Sequence, residues 1–307
     1  FNIIEEIRER GVDIFSETTC KKVKMDDNCY RIVCDNTDYL AKHIIVATGR
    51  TGATFVEKFC NDFCVPLHAN AVDIGVRVEM KDIIWKEFSS KIYEPKILYK
   101  SKTYEDRCRM FCFNQGGYVS AENNDGIVTA NGHSFADPDK KSDNCNFAIL
   151  SSIKFTEPFN QPTKYATNIA EDMNMVGAGN VVVQRFGDLV KGRRTTAGRL
   201  SINTVIPTLK ATPGDIGMVM PHRHMTNIIE TIYALDKVAP GTANDDTLLY
   251  GCENKYYSIR PQFINKKFEV AEGIYILGDG SGICRGLSQS GAMGLYAADC
   301  ICDKVKD

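Results

Sequence analysis

Residues 274–302 read IYILGDGSGICRGLSQSGAMGLYAADCIC. The pattern predicts a short apolar strand, then a turn that starts at Gly278-Asp279-Gly280, then a helix from Ser288. A carboxylate at a strand end can accept hydrogen bonds from sugar hydroxyls, glycines let backbone N–H groups approach a pyrophosphate, and a helix N-terminus favours negative charge. The stretch therefore predicts a site for a phosphorylated, polyhydroxylated cofactor. The alternative is an ordinary strand–turn–helix whose small residues serve close packing.

The beginning of the chain carries a second informative pattern. Residues 1–10 have apolar side chains on one helical face, and residues 12–15 (VDIF) read as a buried strand. Three further strands are predicted over residues 18–25, 29–34 and 39–47. The last of them ends in Ala-Thr48-Gly49, where glycine permits close backbone approach to a ligand.

Taken together, the two patterns resemble the FAD-binding domain of the two-dinucleotide-binding flavoprotein superfamily. Within that superfamily they are similar to the uncharacterised bacterial FAD-utilising dehydrogenases. The resemblance implies that FAD is the cofactor, that Asp279 holds the ribityl chain, and that Gly280 and Gly282 lie near the pyrophosphate. The full set of implied cofactor-binding residues is Thr48, Gly49, Gly278, Asp279, Gly280, Gly282, Gly286, Leu287, Ser288 and Gln289.

One expected part of such a domain is missing from the sequence. Residues 1–307 contain no strand–GxGxxG–helix unit of the kind that opens these domains. We therefore expect an α/β fragment: a partial, Rossmann-like FAD-binding domain (residues 1–70 and 251–307) with an inserted α+β substrate domain (residues 71–250). We expect this fragment to hold FAD weakly or not at all and to be inactive alone. Since no second GxGxxG occurs, NAD(P)H is expected only as a transient electron donor.

The catalytic residues are not assigned by any motif, and His133 and Arg285 are the two candidates. His133 lies between Gly132 and Ser134, where an imidazole could exchange a proton with a flavin or could simply bond to backbone. Arg285 lies in the glycine turn and could bind a reduced flavin or a substrate carboxylate, or pair with a surface acid. The family pattern has Cys-Pro before Gly116-Gly117, whereas this chain has Asn-Gln there.

Charge, hydropathy and cysteine spacing limit the classes of function that remain for this chain. The 307-residue chain has a net charge of −2 and no apolar run of about 18 residues, so we expect a cytoplasmic protein without membrane or nucleic-acid partners. Its twelve cysteines lack the spacing of a zinc ribbon, so we expect reduced, structural cysteines and no metal.

The predicted function is an FAD-dependent oxidoreductase acting on an unknown small molecule. The alternative is a flavin-fold protein in tRNA modification or nucleic-acid binding, for which the basic run 191–199 (KGRRTTAGR) is the candidate surface.

Overall fold

The computed structural model divides the chain into two compact units. The first comprises residues 1–68 and 258–307, and the second comprises residues 69–257. The structure describes residues 3–49, 52–68, 71–124, 126–156, 158–159, 161–256, 260–284 and 286–306. The second unit is thus inserted into the sequence of the first.

Within these residues the chain contains helices and strands in a mixed order, and the expectation of a mixed α/β protein is confirmed. The first segment forms α1 (Ile3–Glu9), β1 (Cys20–Asp26), β2 (Cys29–Cys34), β3 (Asp38–Ala41), β4 (Ile44–Val46), α2 (Ala53–Asp62) and β5 (Leu67–His68). The middle segment forms β6 (Val72–Lys81), α3 (Lys86–Ser89), β7 (Ile97–Lys100), β8 (Arg107–Asn114), β9 (Tyr118–Asn124), β10 (Ile127–His133), β11 (Asn144–Ile153), α4 (Pro162–Val176), β12 (Val182–Arg185), α5 (Phe186–Val190), α6 (Ala197–Ser201), β13 (Thr212–Pro213), α7 (His222–Asp236) and β14 (Leu248–Tyr256). The last segment forms β15 (Arg260–Pro261), β16 (Glu269–Ala271), β17 (Ile274–Ile276) and α8 (Leu287–Lys306).

The first unit is built on small sheets. Strands β1, β2 and β3 form an antiparallel meander, and β5 pairs with β15. A third sheet has the order β16-β17-β4, in which β17 runs parallel to β4 and antiparallel to β16. Helix α2 contributes Val56, Phe59 and Cys60 to the core, because these residues share one helical face.

The second unit is organised around a seven-stranded sheet of order β13-β12-β14-β6-β11-β8-β7. All neighbours in it are antiparallel except β12 and β13. The central strand β6 is buried along nearly its whole length, since helices α4 and α7 contribute to the same core. Trp85, the single tryptophan of the chain, is fully buried in this core against Phe113 and Phe147.

Three expectations from the sequence agree with the structure because they rest on strong local periodicity. The apolar periodicity predicts helices over residues 222–236 and 164–176, and the alternation of residues 70–80 predicts a strand. In the structure these elements are α7, α4 and β6. The second unit also runs beyond the expected boundary at residue 250, because β14 continues its pairing with β6 as far as Tyr256.

Two strand expectations in the first unit are wrong. Residues 12–15 form no strand, and Val12 and Phe15 are 51% and 57% exposed. A short parallel strand is stable only between hydrogen-bonded neighbours, and no strand in the described residues pairs with this segment. The strand expected over 39–47 is split into β3 and β4, which belong to different sheets.

In the ranges that the structure describes, no helix combines the length and the apolar character needed to cross a bilayer.

Candidate functional site

Two parallel strands of the first unit place the predicted site residues side by side. Strands β4 and β17 pair in register from Ile44 with Ile274 to Val46 with Ile276, and the Leu277 N–H donates to the Val46 carbonyl at 2.9 Å. Parallel strands end at the same sheet edge, which is where ligands bind in open α/β sheets. The turn after β4 and the turn after β17 therefore lie at one edge.

The two turns are in contact at Gly280. A β-carbon on this buried glycine would lie 3.0 Å from the Gly49 carbonyl oxygen and 3.4 Å from Thr48 Oγ1. The absence of a side chain at Gly280 therefore lets the two turns approach closely. The structure thus brings Thr48, Gly49 and Gly280 together, and their role in cofactor binding stays a prediction.

The turn after β17 has a backbone that favours glycine at two positions. Gly278 has φ 71° and ψ −156°, a region accessible essentially to glycine alone, and Gly282 is left-handed with φ 68°. Between them Asp279–Ser281 form one turn of 3₁₀ helix. Backbone conformations that favour glycine therefore flank both ends of the segment that carries Asp279.

Ser281 holds this turn in place and was missed by the sequence reasoning. Its side chain is fully buried, its hydroxyl donates to the Gly278 carbonyl at 2.6 Å, and its N–H reaches the same oxygen at 3.1 Å. The Ile283 N–H donates back to the Ser281 hydroxyl at 3.4 Å. Burial distinguishes Ser281 from the exposed Ser288 and the half-buried Ser290, and burial cannot be read from the residue types alone.

The remaining implied residues lie at the start of α8. Leu287 is 95% exposed, and Ser288 and Gln289 are also exposed. The Ser290 N–H donates to the Gly286 carbonyl at 2.9 Å, which opens the helix. The first N–H groups of an α-helix have no partner within the helix, and they carry a partial positive charge. The Arg285 candidate lies outside the described residues.

These residues fit the flavin half of FAD. A β-carbon on Gly49 would meet nothing within 4 Å, and one on Gly278 would meet nothing closer than 3.8 Å, so the backbone of both turns faces open space. The half-buried Asp279 supplies a carboxylate acceptor for hydroxyl groups, and α8 supplies a favourable field for negative charge.

The strain at Gly278 makes a first prediction. Gly278→Ala is expected to destabilise the first unit by about 1–3 kcal/mol, because alanine is strained at this φ and ψ although space for its methyl group exists. Hydrogen exchange of peptides from residues 260–306 measures the loss. Gly291→Ala, inside α8 and also in open space, is the matched control and should leave exchange equal or slower. Equal effects of both substitutions would contradict the assigned role of Gly278.

His133 lies in the second unit, at the end of β10 opposite Tyr118. Its exposed imidazole contacts Phe135 edge-on, with ring centroids 4.7 Å apart. An open cavity of about 540 Å³ is lined nearby by Phe135, Ser134 and Cys112, among others. The catalytic role of His133 stays a prediction.

Cys284, also in the glycine turn, has a structural position. Its thiol is 4% exposed and lies 3.3 Å from the Ser290 hydroxyl. The contact connects the turn to the first turn of α8. A buried thiol bonded in this way contributes packing and is poorly placed for attack by solutes.

Most basic side chains of the run 191–199 form ion pairs with acidic residues of the same unit. The Lys191 ammonium lies 2.8 Å from an Asp245 carboxylate oxygen, and Arg193 Nε donates to Asp188 Oδ1 at 2.7 Å. These pairs reduce the positive charge that the run presents to phosphates. A phosphate clamp at this loop is therefore not favoured by the geometry.

Asp188 is the buried carboxylate with which cationic side chains of this run pair. Its side chain is fully buried, and burial alone would raise its pKa. Hydrogen bonds from Arg193 and Thr195, with the charges of Arg185 and Arg193, outweigh burial and lower the pKa of Asp188. The carboxylate therefore stays ionised and requires cationic partners from the run.

The parallel strands, the glycine turn and the following helix define an arrangement typical of proteins that bind nucleotide cofactors. The chain belongs to the family described as FAD-dependent protein, C-terminal domain-like, whose model matches residues 71–256. That match covers most of the second unit, and it confirms the FAD expectation at the level of the family. The candidate cofactor residues themselves lie outside the matched range.

Comparison with solved structures gives weak likenesses. The crystal structure of FqzB (native proteins) has a TM-score of 0.33 and 9% identity over 96% of this chain and 50% of that chain. The crystal structure of CtdE in complex with FAD has a TM-score of 0.31 and 11% identity over 97% of this chain and 58% of that chain. The chain thus spans about half the length of FqzB. No curated protein matches the chain.

Proposed function

We propose that this chain is part of an FAD-dependent oxidoreductase and that the Rossmann-like edge of its first unit holds the flavin. When bound, FAD supplies the transfer of electrons to or from a small-molecule substrate. The proposal rests on the position of Asp279. It lies between Gly278 and Gly282, next to the turn that contains Gly49 and ahead of the N-terminus of α8. Membership in an FAD-dependent family supports it.

The protein residues would divide the work of binding. Asp279 accepts hydrogen bonds from the ribityl hydroxyls, and the open backbone at Gly278 and Gly49 allows close approach of the cofactor. The N-terminus of α8, at Leu287 and Ser288, favours negative charge at the pyrimidine edge of the ring.

Asp279→Ala tests this assignment. Loss of hydrogen bonds to a charged acceptor typically costs about 1.5–3 kcal/mol, so the dissociation constant for FAD should rise about 10- to 100-fold. The measurement is a titration with FAD of the purified full-length protein that contains this chain, followed by flavin fluorescence and by the absorbance spectrum of the retained cofactor.

Asp299→Ala is the matched control, because Asp299 is an exposed carboxylate on the same helix α8. It should bind FAD as the unaltered protein does. Equal weakening in both variants would refute the role of Asp279, and a full-length protein that takes up no FAD at saturating concentration would refute the proposed function. With FAD bound, NADH and NADPH are the first electron donors to test, by bleaching of the flavin absorbance.

A further inference from the structure

Strands β1 and β2 place two cysteines directly opposite each other. The register of this antiparallel pair aligns Cys20 with Cys34. Among the strand pairings in the described part of the chain, this is the single one that matches a cysteine with a cysteine. The two residues lie fourteen positions apart in the sequence, so only the fold brings them together.

The backbone on both sides keeps the two cysteines opposed. On one side the Asp35 N–H donates to the Thr19 carbonyl at 3.2 Å, and on the other side Lys22 pairs with Val33. The Lys21 ammonium, at a bulge next to Cys20, lies 2.9 Å from Asp35 Oδ1. Directly opposed residues of antiparallel strands have Cα atoms about 4.5–5.5 Å apart. That spacing lies within the roughly 4.4–6.8 Å range of disulfides.

The two thiols also influence each other electrostatically. The Cys20 thiol donates to the Lys22 carbonyl at 3.9 Å, and burial, followed by the charge of Cys34, raises the pKa of Cys20. Both cysteines are free and only partly buried. A small oxidant can therefore reach the pair, whereas fully buried cysteines such as Cys145 are shielded.

We propose that Cys20 and Cys34 form a reversible cross-strand disulfide when the protein meets a peroxide. In the first step one thiol attacks an oxygen of hydrogen peroxide, which gives a sulfenic acid and one water. In the second step the other thiol displaces water from the sulfenic sulfur and the S–S bond forms. In total two thiols and one peroxide give one disulfide and two waters, and two electrons pass from sulfur to peroxide. A dithiol reductant reverses the reaction.

The bond would pin the first residue of β1 to the last residue of β2. It closes the chain between residues 20 and 34, which restricts the unfolded chain and favours the folded meander. Oxidation should therefore raise the melting temperature of the first unit, and reduction should reverse the rise. The proposal needs no flavin, so it stands or falls independently of the proposed function.

Peptide mapping tests the pair directly. The folded protein is treated with hydrogen peroxide, its remaining thiols are alkylated, and it is digested with trypsin, which cleaves after Lys21 and Arg31 and so separates Cys20 from Cys34. The expected result is a linked pair of peptides, lighter by two hydrogen atoms than the sum of the separate peptides. Reduction before alkylation should abolish the linkage.

Cys29 provides the matched control, because it lies on the same strand β2 but faces Asp26 across the register. Cys29→Ser should keep the linked peptides and the rise in melting temperature, whereas Cys20→Ser and Cys34→Ser should lose both. The proposal is overturned if the unaltered protein gives no Cys20–Cys34 peptide while the exposed Cys64 is oxidised. The peptide map of the unaltered protein tests the proposed disulfide even where a variant does not fold.

Discussion

Arg77→Met is expected to destabilise the second unit by about 3–5 kcal/mol, because it removes one partner of a buried ion pair. Arg77 lies on β6 and Glu253 on β14, both are fully buried, and Arg77 NH1 lies 3.5 Å from Glu253 Oε2. Within the described residues neither Glu253 oxygen accepts a hydrogen bond, and Lys255 is its one other cationic neighbour at 3.5 Å. Without Arg77, the negative charge of the buried Glu253 carboxylate would lose much of the positive charge that offsets it.

Arg77 also donates hydrogen bonds to two acceptors on neighbouring strands of the sheet. Its Nε and NH2 donate to Asn146 Oδ1 at 2.8 and 2.6 Å, and NH2 donates to the Cys112 carbonyl at 2.7 Å. Gly132 leaves room for it, since a β-carbon there would lie 1.8 Å from NH2. Methionine fills part of the volume but donates no hydrogen bond, so these acceptors would lose a partner.

Urea denaturation followed by Trp85 emission measures this effect, because the single tryptophan lies in the core of the same unit. The double variant Arg77→Met/Glu253→Gln should recover most of the loss, because the orphaned charge is then gone. Arg107→Met, on an exposed position of β8, is the control and should change the unfolding free energy by no more than about 0.5 kcal/mol. A loss in Arg77→Met no larger than in this control would contradict the assigned role of the ion pair.

His224 should make the second unit lose about 3 kcal/mol of stability between pH 6.5 and pH 4. Burial lowers the pKa of His224 from 6.5 to about 4; the charge of Asp106 opposes this effect and that of Arg223 adds to it. Within the described residues neither ring nitrogen has a hydrogen-bond partner. The unfolded chain therefore binds the proton more readily than the folded chain. Each pH unit of difference is worth about 1.36 kcal/mol.

The sign and the window of the effect follow from the lowered pKa. Stability is complete above about pH 6.5, falls as the pH drops towards 4, and loses nothing further from this group below 4. His224→Phe should remove this component of the pH dependence, as measured by urea denaturation and Trp85 emission across the window. His222→Gln, an exposed position on the same helix α7, is the control and should retain it. An unchanged pH profile in His224→Phe would show that another group causes the loss.

Much of the candidate site could be predicted from the sequence, because it depends on local chemistry. The residue types Gly278-Asp279-Gly280 between a strand and a helix are enough to predict a turn. The conformation of Gly278 in the structure agrees with that prediction. The contact of Gly280 with the turn at Thr48 could not be predicted. It arises from the parallel pairing of β4 with β17, which are more than 200 residues apart.

The sequence by itself determined the elements with strong periodicity, such as α4, α7 and β6, because one apolar face per turn or per pair of residues is a local property. Tertiary structure alone decided that residues 12–15 form no strand, since a parallel strand exists only where neighbours supply its hydrogen bonds. It also decided which polar groups meet: Arg77 with Glu253, and Cys20 with Cys34. Strand register sets those contacts, and register depends on the packing of the whole sheet.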